Sequence, residues 1–308
     1  MNKYLEKIIK TKLVQVPIAI SKRVFIPGFD GLPIYDVIRF FVTGILKNSL
    51  TTRASSLAFR FFLALFPSII FLFALIPYIP IDNFQEQLLE VIKNILPKNA
   101  YELSSSTISE LITNKSNSLL SFGFLFAFYL ASNGVNSMII AFNDSYHSSK
   151  KGSFIKTRLR SLLILIILTT LMIAAIGLIV FSEVTLDFLM AKGYLNNFSI
   201  YAVKIAKFIV LLLIFFLCIS SIYYFGNVRH NKFRFISAGS TLATLLSILL
   251  STGFAYYVNN FATYNKVYGS IGTLIVVMLW LYFNSLVLLI GFELNASIGH
   301  AREIKNGK

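Results

Sequence analysis

Six stretches of this chain run for about twenty residues with almost no charge, and that pattern decides what it can fold into. They cover approximately 57–81, 119–142, 162–181, 206–225, 235–258 and 271–292, with basic clusters between them. A helix rises about 1.5 Å per residue, so roughly 20 apolar residues cross a hydrocarbon core of about 30 Å. Helices satisfy their own backbone hydrogen bonds in lipid, and these runs lack the alternating segments of a membrane barrel. The last run is the clearest, with no charge in 22 residues, whereas the first carries Arg60 and three prolines. The predicted fold is therefore all-α, a polytopic membrane bundle of six transmembrane helices. Composition agrees: of 308 residues 56% are hydrophobic and only 13% charged, too little polar material to cover two soluble cores or to keep a chain disordered.

The basic residues set the expected orientation. Twenty of the 28 fall in the amino-terminal segment, the second-to-third and fourth-to-fifth connections and the tail; seven lie in the alternate connections, with Arg60 inside the first span. The positive-inside rule then puts both termini in the cytoplasm, as an even number of spans requires. The net charge of +15 also has its explanation here, since cations beside spans serve insertion and anionic headgroups. Membrane lipids are the expected partners, and no specific nucleic acid is.

Three parts follow from this reading: a cytoplasmic segment over 1–56, a membrane domain over 57–293 with an external helical hairpin at 82–118, and a tail over 294–308. The first 55 residues hold no apolar stretch long enough for a signal-peptide core, so the first span is expected to act as the insertion signal. Within 35–50, Ile38, Phe41, Val42, Ile45 and Leu46 recur at helical spacing opposite Asp36, Arg39 and Lys47, which predicts an amphipathic helix in the membrane interface. Helices are also predicted over 82–96, with Phe84, Leu88, Ile92 and Ile95 on one face, and over 100–113.

Catalytic and metal-binding patterns are absent from the sequence. His147, His230 and His300 are scattered, Cys218 is the single cysteine, and there is no HExxH, phosphate loop or GxSxG. An enzyme is not the expected class, and no cofactor or metal is implied. Polar residues inside spans are more informative. Asn133, Asn136 and Asn143 give the second span an amide-rich face, flanked by Ser132, Ser137 and Asp144. Such a face turns inward, either to hydrogen-bond neighbouring helices or to line a polar pathway. In the fifth span Gly239, Ala243, Ser247, Ser251 and Ala255 stand four residues apart, a small-residue seam suited to internal packing, a homo-oligomer or a sliding contact. Pro67 removes a hydrogen bond from the middle of the first span and predicts a kink. Arg60 and Glu293 fall at comparable depth near the cytoplasmic ends of the first and sixth spans, where they could pair or Arg60 could snorkel. Tyr256, Tyr257, Tyr264 and Tyr268 cluster where an aromatic belt would lie.

Several segments resemble the YihY/BrkB family of inner-membrane proteins. They are Arg53-Ala54-Ser55-Ser56-Leu57-Ala58-Phe59 with Leu65-Phe66-Pro67, the 133–146 region leading into Arg158, and Tyr268-Gly269-Ser270 through Leu279-Trp280-Leu281-Tyr282 to Gly291-Phe292-Glu293-Leu294-Asn295-Ala296. The chain departs from the pattern at Arg60, where an aromatic or apolar side chain would stand. The resemblance implies a bacterial inner-membrane protein with six spans. It marks Arg53, Pro67, Asn133, Asn136, Tyr268, Gly269, Trp280, Gly291, Glu293 and Asn295 as positions of interest without assigning them roles. The family has carried the label ribonuclease BN, widely regarded as a misassignment.

Three functional classes stay in view. A transport-type protein that moves a lipid or other amphiphile is the leading one, because an amide-lined face, a kinked span and a small-residue seam suit a bundle that opens laterally. A non-transporting scaffold that supports envelope integrity would bind a partner through its external hairpin or basic loops. A ribonuclease is disfavoured, since the 13 acidic residues are scattered and offer no two-metal site.

Overall fold

The structure is a computed structural model and describes residues 24, 28–47, 49–78, 85, 86, 89, 98–144, 153–192, 197–227, 234–260 and 270–305. Among these the chain is helical and contains no β-strand beyond one isolated bridge residue, Pro33. In chain order the helices are α1 (Ile34–Lys47), α2 (Leu50–Leu75, extended by a 3-10 turn, Ile76–Tyr78), α3 (Lys98–Thr113), α4 (Asn117–Asn143), α5 (Phe154–Ala191), α6 (Asn197–Gly226), α7 (Ala238–Asn260) and α8 (Ser270–Lys305). Six of them, α2 and α4 to α8, are long and apolar enough to cross a membrane. The helix predicted over 82–96 falls almost wholly outside the described residues, as do Tyr264, Tyr268 and Gly269.

The observed spans are longer than the apolar runs. Lys156, Arg158 and Arg160 sit in the first two turns of α5, and α8 continues past Phe292 through Arg302 to Lys305. Charged ends of this kind extend a helix beyond the hydrocarbon into the headgroup layer, where water and lipid phosphates solvate them. The outward faces are apolar. On α5 alone Ile155, Leu159, Ile166, Met172, Ile173, Ile176, Val180 and Phe181 are all more than half exposed. A water-soluble protein does not present such a surface, whereas lipid tails solvate it at no cost.

The chain forms two compact units, and their division falls within α2, α4, α7 and α8. The first comprises residues 1–51, 138–248 and 286–308. In it Leu32 and Val37 pack with Leu294, Ile298 and Ala301 of α8, with Phe29, Phe40, Phe41, Ala238 and Leu242 against them. Pro33 starts α1 by accepting the Asp36 and Val37 amides, and Asp36 places negative charge at the positive end of the helix. The face of α1 differs from the sequence expectation. Val37 and Gly44 are buried, while Ile38, Val42 and Leu46 remain exposed; the apolar residues thus divide between a protein-facing stripe and a free one.

The second unit comprises residues 52–137 and 249–285. Here α2 passes without interruption through Pro67, which is buried. Ser68 Oγ donates to the Ala64 carbonyl at 2.7 Å, one turn back, beside the carbonyl of Leu63 that the proline leaves without its usual amide. α4 lies close to α2 at Gly123 and Gly134. A Cβ on Gly134 would stand 3.1 Å from the Phe61 ring, and one on Gly123 3.6 Å from the Phe71 backbone.

Candidate functional site

In the first unit α7 and α8 cross in close contact at two glycines, Gly239 and Gly291. A Cβ on Gly239 would overlap the Gly291 carbonyl and stand 2.6 Å from Asn295 Cγ. One on Gly291 would overlap Tyr223 Oη and stand 2.7 Å from the Gly239 carbonyl and 2.8 Å from Ala243 Cβ. Two helices touch backbone to backbone here because both residues lack a side chain.

Asn295 joins the two helices chemically. Its Oδ1 accepts the Gly239 amide at 2.8 Å, and its Nδ2 donates to Ser237 Oγ at 2.8 Å. Ser237 is the N-cap of α7: its Oγ accepts the Ser240 amide at 3.2 Å, while Ser240 Oγ accepts the Ser237 amide at 3.1 Å. That reciprocal pair is a capping box with serine in the place usually held by an acid or amide. Asn295 adds a third bond from another helix, so three of the four orphan amides at the start of α7, those of Ser237, Gly239 and Ser240, have acceptors.

Beneath the crossing lies an aromatic cluster. Phe142 and Phe292 stack with centroids 4.3 Å apart, Tyr223 meets both edge-on, and its hydroxyl donates to the Leu288 carbonyl at 2.7 Å. All three rings are almost fully buried. Asn143, at the end of α4, donates to the Ile139 and Gly226 carbonyls at 2.6 and 3.2 Å. The first bond stays within α4 and the second ties α4 to the end of α6.

Glu293 is nearly inaccessible, at 1% exposure. It lies directly under α1: a Cβ on Gly44 would overlap its carboxylate and stand 3.0 Å from its Cδ. A carboxyl retained at such a place is costly, which makes it a functional candidate. A further clamp holds the segment before α1. Asp30 receives Arg302 at 3.1 Å and Arg234 at 3.2 Å, and Lys305 Nζ donates to the Gly31 carbonyl at 3.1 Å. Asp30 adopts φ +52° between Gly28 (+96°) and Gly31 (+71°), left-handed geometry that glycine and aspartate tolerate.

The remaining candidates divide between the units. In the second unit α4 carries Ser132 and Ser137 buried, and Asn133 and Asn136 half-buried. Ser137 Oγ donates to the Asn133 carbonyl at 2.8 Å. Arg60 is exposed on α2, Arg53 is half-buried, and Trp280 on α8 is exposed. The small-residue stripe of α7 is not uniform: Gly239, Ala243 and Ser247 are buried, Ser251 and Ala255 exposed. Among the described residues no three His, Cys, Asp or Glu side chains come together in a group that could hold a metal ion.

Sequence reasoning did not single out Tyr223, Phe142, Gly44 or Asp30, and the first three carry no local signal. The run Gly28-Phe29-Asp30-Gly31 was a readable turn signal, but its partners are more than 200 residues away.

Six long apolar helices with exposed apolar side chains define an integral, multi-pass α-helical membrane protein. Within that class the chain belongs to the BrkB family, whose model, described as virulence factor BrkB, matches residues 41–308. A protein of Bacillus subtilis (strain 168) named putative ribonuclease-like protein YfkH is 33% identical over 257 residues, 82% of this chain and 90% of that protein. A UPF0761 membrane protein of Mannheimia succiniciproducens is 28% identical over 264 residues, 85% of this chain and 88% of the relative. No solved structure matches the chain significantly.

Proposed function

We propose that this protein is a transport-type bundle that moves a lipid or another amphiphile, with both termini in the cytoplasm. The observation that carries the reading is the division of α4. Toward its start Phe122, Phe124, Phe126 and Phe128 are exposed to the surroundings, the condition of a lipid-facing surface. Further along the same helix, Ser132, Asn133, Asn136 and Ser137 form a polar stretch that is buried or half-buried. One helix thus offers apolar solvation at one level and hydrogen-bonding groups at another, as a molecule with a polar head and an acyl chain requires. The orientation rests on the twenty-to-seven distribution of basic residues.

Reconstitution into liposomes carrying fluorescent lipids of several headgroups tests the reading. Transfer between leaflets faster than in protein-free liposomes is expected, and Asn133→Leu with Asn136→Leu is expected to slow it. Transfer at the protein-free rate for every headgroup would overturn it.

A further inference from the structure

The second unit holds a groove of about 550 Å³ where α3 gives way to α4, lined by Glu110, Leu111, Asn114, Ser116, Ser118 and Phe122. Its volume falls within the usual range for small-molecule sites, roughly 300–1,000 Å³. The connection between the helices shapes it. The Asn114 amide donates back to the Glu110 carbonyl at 3.1 Å and the Leu120 amide to the Ser116 carbonyl at 2.9 Å, so α3 closes and α4 opens within a few residues. Ser116 Oγ and Ser118 Oγ stand 3.3 Å apart at the rim.

The groove's depth identifies its surroundings. The apolar span of α4 starts at Leu120, so Glu110, Asn114, Ser116 and Ser118 precede that span while Phe122 lies within it. At about 1.5 Å per residue, Phe122 lies only roughly 6 Å below Ser118 along the helix. Phe122 is 70% exposed and stacks on Phe126 one turn deeper, centroids 6.2 Å apart. The cavity is polar on one side and aromatic on the other, and a bilayer fitted to the apolar span brings the boundary between headgroups and acyl chains to it.

Charge narrows the occupant further. Among the described lining residues Glu110 is the only ionisable one. Lys115, the next residue in the chain after Asn114, has its ammonium over the Tyr78 ring, 5.8 Å from the centroid, and is not part of the lining. A lone carboxylate beside an amide and two hydroxyls accepts an ammonium and leaves neutral donors for phosphate oxygens.

We infer that this groove is a binding site for a zwitterionic aminophospholipid, with its primary ammonium on Glu110, its phosphate against Asn114, Ser116 and Ser118, and its first methylenes against Phe122. The inference deepens the lipid-handling reading but is measured at equilibrium, without transfer. Loss of transport with retained binding would sink only that reading.

The full chain in detergent, titrated with phosphatidylethanolamine, phosphatidylcholine and phosphatidylglycerol of matched acyl chains, gives the test by native mass spectrometry. Phosphatidylethanolamine is expected to bind best. Glu110→Gln should weaken it roughly three- to fivefold, toward the phosphatidylcholine level, while Glu110→Asp, which keeps the charge, should retain the preference. Phe122→Ala should weaken all three lipids alike. Equal binding of the three lipids, or a preference unchanged by Glu110→Gln, would overturn the assignment.

Discussion

Replacing Gly291 by alanine tests the backbone contact of α7 and α8, and the structure fixes both sign and size. The new methyl would overlap Tyr223 Oη and press on the Gly239 carbonyl and Ala243 Cβ at 2.7 and 2.8 Å. Two of these three neighbours cannot yield without moving helix α7, so the overpacking term is about 1–3 kcal/mol. Displacing Tyr223 also breaks its bond to the Leu288 carbonyl, worth about 1 kcal/mol for a buried pair in a membrane protein. The gain from alanine over glycine in a helix offsets at most about 1 kcal/mol. The net loss should be about 1–3 kcal/mol. Gly177 and Gly253 supply internal controls, because a Cβ at either would meet nothing within 4 Å; alanine there should be neutral or stabilise by up to about 1 kcal/mol. Unfolding of the purified protein in a graded denaturing-detergent series, followed by helical signal, reads the difference. A Gly291→Ala protein as resistant as Gly253→Ala would refute the claim that the crossing depends on two missing side chains.

Three further outcomes follow from named contacts. Asn295→Ala removes the acceptor for the Gly239 amide and the donor to Ser237 Oγ, and should destabilise by about 1–2 kcal/mol, seen as faster amide exchange confined to the start of α7. Asp30→Asn keeps a residue that tolerates positive φ but discards the charge facing Arg234 and Arg302. Arg234 is 67% exposed, so the expected loss is under about 1 kcal/mol and should vanish in high salt in the same unfolding assay. Gly44→Leu would drive a side chain into the place of the Glu293 carboxylate; α1 should then loosen, and limited proteolysis should cut within 28–47 faster than in the unaltered protein. Unchanged cleavage there would mean that α1 does not need Gly44 to lie over Glu293.

The spans were legible because the bilayer imposes one demand on every crossing segment, enough apolar length, and that demand is written locally in each run. The helix at Ile34–Lys47 was legible from a different local signal, the helical spacing of its apolar residues, although these divide between two stripes, which spacing alone does not distinguish. Asn295 and Gly291 were visible as parts of a recurrent motif but not as a helix cap and a backbone contact. Their partners lie far away: Asn295 is 56 residues from Gly239, and Tyr223 is 65 from Leu288.

The sequence by itself determined that this is an all-helical membrane bundle, through hydropathy that acts within twenty neighbouring residues. Only the tertiary structure decided which small residues touch, which amide caps a foreign helix and which acid is buried. Those outcomes depend on the packing of segments distant in the chain, and no local periodicity encodes them. Asp30 shows the contrast in one residue: its turn could be read from the flanking glycines, its clamp on Arg302 across 272 positions could not.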